Sequence, residues 1–109
     1  MVRLDRGLPR DTAYDFAQDL LGRGRSSDAF ALFKVLAAGG DGPSAFAVAK
    51  MYDPLLWSPA MSPFSQANPR QAVTWYRRAL ERGVEEARVS LDSLSEWEAN
   101  REGVGADVR

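Results

Sequence analysis

Gln71-Ala72-Val73-Thr74-Trp75-Tyr76-Arg77-Arg78-Ala79-Leu80-Glu81-Arg82-Gly83 is the stretch on which the reading of this chain turns. Ala72, Trp75, Tyr76, Ala79, Leu80 and Gly83 stand at i, i+3, i+4, i+7, i+8 and i+11, which places them on one face of an α-helix. Moving outward, Ala29, Leu32, Phe33, Leu36, Ala37 and Gly40 repeat that spacing and size pattern 43 positions earlier. The chain therefore contains an internal repeat, the signature of stacked supersecondary units. A second helix type alternates with the first. Ala13, Phe16, Ala17 and Leu20 match Ala45, Val48, Ala49 and Tyr52 at an offset of 32, and then Ala87, Ser90, Leu91 and Leu94 at a further 42. Each stripe opens on alanine, which suits helices crossing so closely that only a methyl group fits.

These patterns predict an all-α domain of five helices over 11–22, 27–38, 43–52, 69–82 and 85–99, in one unit spanning 11–99, with flexible ends over 1–10 and 100–109. Punctuation agrees with the division. Ser26, Ser27 and Asp28 can cap the second helix, and Asn68-Pro69 supplies an N-cap and a first-turn proline for the fourth. Gly22 to Gly24, Gly39 to Gly42 and Gly83 fall where helices should end. One irregular segment, 53–68, interrupts the repeat. It carries Leu56, Trp57, Met61 and Phe64 together with several prolines, so it is expected to be ordered, either covering the helix stack or offering a contact to a partner.

The run Ala45-Phe46-Ala47-Val48-Ala49-Lys50-Met51-Tyr52, then Gln71 to Gly83 and Ala87 to Leu91, resembles a Sel-one-like repeat, a branch of the tetratricopeptide-like helical solenoids. The likeness covers 45 to about 94; residues 13 to 42 match more loosely, with Leu32-Phe33 where Trp75-Tyr76 stand, and segment 53–68 replaces the family's short turn. The resemblance implies antiparallel helix pairs stacked into a right-handed superhelix that serves as a protein-binding scaffold, with no enzymatic activity and no cofactor. It also implies that the first helix of each pair lines a concave face. Off the packing stripe, Tyr14 with Gln18, Phe46 with Lys50 and Arg88 with Asp92 recur in register on those helices and are candidate partner contacts, joined by Trp57, Met61 and Phe64 from the insertion. Tyr14 and Phe46 are open to a second reading, as further core.

Composition narrows the chemistry. With 109 residues there is room for one modest core. Histidine and cysteine are both absent, which removes the usual neutral-pH base, the thiolate nucleophile and sulfur-ligated metals. Glu85 and Glu86 lie where they oppose a helix dipole, Glu96 and Glu98 point to different sides of their helix, and Asp53 before Pro54 reads as a turn residue. Gly39-Gly40-Asp41-Gly42 lacks the lysine and hydroxyl of a phosphate loop. Lys34 and Lys50 have no serine at a nucleophile's spacing. The arginines at 77, 78, 82 and 88 are interleaved with Glu81, Glu85 and Glu86, and the formal net charge is -1, so no nucleic-acid partner is expected.

Apolar runs are short, so no membrane insertion is expected, and Met1 to Arg6 has no apolar signal core. The expected partner is another protein, with homo-oligomerisation or a regulatory role within a larger cell-envelope protein as alternatives. Twelve arginines against two lysines suggest a bacterial source, with cytoplasm and periplasm both open.

Overall fold

A computed structural model describes the backbone of residues 10–107 and the side chains of 11–101. Five helices follow in chain order: α1 (Arg10–Gly22), α2 (Ser26–Ala38), α3 (Gly42–Tyr52), α4 (Pro69–Glu81) and α5 (Glu86–Asp107). The described residues are all-helical with no strand. Each helix packs on its neighbour in sequence, α1 on α2, α2 on α3, α3 on α4 and α4 on α5. The turns between α1 and α2 and between α2 and α3 are only three residues long, which keeps those sequential helices in contact.

Three helix ends share one device. After α1, α2 and α4, a glycine with positive φ (Gly24 at 80°, Gly40 at 100°, Gly83 at 93°) donates its N–H three residues back, to Leu21, Ala37 and Leu80. The next residue donates five back, to Leu20, Leu36 and Ala79, completing a Schellman closure that satisfies otherwise orphaned carbonyls. Gly40 and Gly83 are the two glycines that close the 43-residue repeat. Gly42 is needed for a different reason. A Cβ there would lie 2.9 Å from Arg82 Cβ and Val84 Cγ2 and 3.1 Å from the Arg82 carbonyl, because the α2–α3 turn packs directly on the α4–α5 turn.

One helix start follows the expected cap, and Asp41, which the sequence places only in a turn, caps another. Asn68 accepts the Gln71 N–H at 3.1 Å ahead of Pro69, and Asp41 accepts the Ser44 N–H at 3.1 Å ahead of α3. The expected Ser26-Ser27-Asp28 cap is corrected. α2 begins at Ser26, its N-cap is Arg25 with no side-chain cap bond, and Asp28 pairs instead with the Arg25 guanidinium at 2.6 Å. α5 also runs past its expected end at 99 to Asp107, since no proline stops it; the expectations for residues 1–9 and 108–109 lie outside the described residues.

All five alanines that open the stripes are buried, and the core gathers around Phe33, Val48, Trp75, Tyr76 and Leu94. One stripe position departs from the repeat. Val48 is fully buried, whereas its counterpart Phe16 is 55% exposed. α3 is packed between α2 and α4, but α1 has α2 as its one extensive neighbour, so the same register position has nothing to bury against.

Candidate functional site

Segment 53–68 is not a free loop. The Asn68 N–H donates to the Tyr52 carbonyl at 2.8 Å, which pins its two ends together and makes it an Ω-loop. Asp53 organises the start. Its Oδ1 accepts the Leu55 N–H at 2.8 Å and its backbone carbonyl accepts from Leu56 and Trp57, while its Oδ2 accepts the Tyr76 hydroxyl at 2.6 Å. Burial, with the Asp53 hydrogen bond second, pushes the Tyr76 phenol far above its ordinary range. The aspartate is thus both the turn residue expected from sequence and the bolt between the loop and α4.

Ser62 holds the far side. Its buried hydroxyl donates to the Met51 carbonyl at 2.9 Å and accepts the Phe64 N–H at 3.2 Å. The Trp57 indole N–H donates across the loop to the Phe64 carbonyl at 3.1 Å. Phe64 itself stacks on Tyr52, ring centroids 4.4 Å apart and planes 8° from parallel, and meets Phe30 edge-on at 4.9 Å. Phe64 therefore serves as an inward anchor, with the Trp57 indole tied to its carbonyl. Leu56 and Met61 do not follow them; they stay 53% and 48% exposed.

Those two exposed side chains form one wall of a pocket of about 290 Å³ whose other walls are Gln18 and Leu21 of α1 and Ala47, Lys50 and Met51 of α3. Its lining is largely aliphatic and thioether, with one amide and one ammonium at the polar edge. Of the residues singled out by sequence, Gln18, Lys50 and Met61 meet here. Tyr14 and Phe46 support them from below. The Gln18 amide donates to the Tyr14 hydroxyl at 2.9 Å, and the Lys50 ammonium lies 4.9 Å above the Phe46 ring. Both aromatics are half-buried against the core, Tyr14 by Phe33 at 5.5 Å and Phe46 by Tyr76 at 5.6 Å. Arg88 and Asp92 do not line this pocket; they lie on α5, where Arg88 faces Glu85 at 3.8 Å.

In the sequence the groove and the insertion read as separate candidates, yet the loop folds back to build the wall that α1 and α3 lack. Leu21, Met51 and Ser62 are not among those candidates. The first two are unremarkable aliphatic positions in a pattern, and Ser62 has no sequence signal at all. Among the described residues no group of three or more acidic side chains could hold a metal ion, and no helix is long and apolar enough to cross a membrane. Comparisons with family models, curated proteins and solved structures find no match.

Proposed function

We propose that this chain is a protein-interaction module, a short scaffold of the Sel-one-like repeat type, and not an enzyme. Its partner places an aliphatic or thioether side chain between α1, α3 and the loop, with a carboxylate of the same segment at Lys50. The observation that carries the reading is the split within the loop. Phe64 is packed on the core with the Trp57 indole bonded to its carbonyl, while Leu56 and Met61 stay exposed in the same bonded loop, so their exposure is built in and does not arise from slackness. A loop this well bonded presents its apolar side chains at low entropic cost on binding. Met adapts to varied partners, which suits a pocket that must accept side chains of differing shape.

Peptide display against the immobilised chain tests this. The expected result is enrichment of peptides carrying Leu, Ile or Met near Glu or Asp, bound by the wild-type chain and lost on Leu56→Asp/Met61→Asp. Binders that ignore the double variant would refute the pocket. A concentration-dependent dimer in sedimentation, abolished by Met61→Asp, would replace the foreign partner with a second copy of this chain.

A further inference from the structure

Residues of α2, α4 and the α2–α3 turn line a second cleft, of about 460 Å³, whose chemistry differs from the pocket just described. Trp75 lies in its wall, largely buried, with Lys34, Arg78 and Arg82 around it and Asp41 and Glu81 at its margins. The Arg78 guanidinium sits 4.4 Å from the Trp75 ring centre and the Lys34 ammonium 5.5 Å from it. Two cations are thus fixed on one indole, no farther apart than those two distances together. Arg82 joins them at the end of α4, where its Nη1 would lie 3.1 Å from a Cβ at Gly40.

Three cations face two carboxylates in the lining of this cleft. Arg23, Arg25 and Arg88 each have an acidic partner one helical turn away. Among the described residues, no ion pair within 4.0 Å joins Lys34, Arg78 or Arg82 to a carboxylate. Asp41 is committed to capping α3, its Oδ2 accepting both the N–H and the hydroxyl of Ser44 in a buried position. Glu81 remains, exposed at the rim. Three cations against two carboxylates leave an excess of positive charge in the cleft, and an incoming oxyanion offsets it while gaining charge-assisted hydrogen bonds from forked guanidinium donors. Lys34 and Arg78 are also partly immobilised by the indole, so less of their side-chain freedom is lost on binding.

We infer that the α2–α4 cleft is an oxyanion-binding site in which Lys34, Arg78 and Arg82 receive a carboxylate or phosphate group beside Trp75. The net charge of -1 over the whole chain supplies no extended positive field, so the site serves a localised anionic group and not a polyanionic backbone. It is separate from the α1–α3 pocket and stands or falls without it.

The test uses the ¹⁵N-labelled full chain, titrated with citrate and, separately, with inorganic phosphate, against sodium chloride at matched ionic strength. Trp75 reports through its indole N–H signal; Trp57 and Trp97, assigned by Trp→Phe substitution, are internal references. Saturable movement of the Trp75 signal alone, half-complete below about 10 mM, is expected. Response to citrate alone identifies a carboxylate ligand, and response to phosphate alone a phosphate one. Lys34→Gln/Arg78→Gln should weaken binding about tenfold, while Arg77→Gln, outside the cleft, leaves it unchanged. Glu81→Gln should tighten it about threefold, a gain that misfolding cannot imitate. Movement no larger than chloride produces, failure to saturate, or equal weakening by Arg77→Gln would overturn the assignment.

Discussion

At the scale of single residues, the pair Asp53 and Tyr76 does most to set the position of the candidate site. Tyr76 is buried and donates to a carboxylate that also starts the loop, so Asp53→Ala leaves a buried phenol without its acceptor. A loss of about 1–3 kcal/mol is expected in chemical denaturation. Asp53→Asn, which keeps an acceptor, should lose less. The same pair fixes a pH dependence. Tyr76 holds its proton far above the ordinary value of about 10, so above that pH the unfolded chain releases a proton that the folded chain keeps. The stabilisation is complete below about pH 10 and erodes as pH rises, by up to about 1.4 kcal/mol per pH unit for one group. Burial also raises the Tyr14 and Tyr52 phenols, which act in the same direction. Melting temperature should therefore fall between pH 9 and 11, and fall less steeply in Tyr76→Phe; equal slopes would show that Tyr76 does not govern it. Phe46 answers the two readings left open by its spacing. Half-buried against Tyr76, it should cost about 2 kcal/mol on truncation to alanine, below the range for a fully buried phenylalanine because part of the ring is already in water.

Among the elements, helices were more legible in the sequence than the loop, for physical reasons. A helix buries a stripe at a fixed period, and Ala72 to Gly83 shows that stripe at every expected position. The Schellman glycines mark the ends just as openly. Register alone could not say that Phe16 is exposed where Val48 is buried, because burial depends on a second neighbouring helix and not on spacing. The loop has no period. Its order comes from individual bonds, Ser62 to the Met51 carbonyl and Trp57 to the Phe64 carbonyl, which composition does not announce. Its aromatic and aliphatic residues were expected to act together; the bonds divide them into anchors and wall. Turn-on-turn packing was likewise invisible. Gly42→Ala should therefore destabilise by about 1–3 kcal/mol, the range for overpacking, since one of the obstructing atoms is the Arg82 backbone carbonyl and cannot swing aside. A melting temperature unchanged by Gly42→Ala would mean that the two turns separate easily.

Over the whole molecule, the repeat and the loop serve one purpose in this account. Five helices pack in sequential contact, and the Ω-loop supplies a wall of the pocket between α1 and α3. Leu56 and Met61 are exposed, so Leu56→Asp/Met61→Asp should change folding stability by no more than about 0.5 kcal/mol per site. Binding and stability can then be read independently. The most direct test is a chemical-shift map of the labelled chain with a display-selected peptide. Shifts should concentrate at Leu21, Lys50, Leu56 and Met61 and vanish in the double variant while its fold persists. Failure to select any peptide above background, or shifts centred on α5 that survive Leu56→Asp/Met61→Asp, would contradict the proposed pocket.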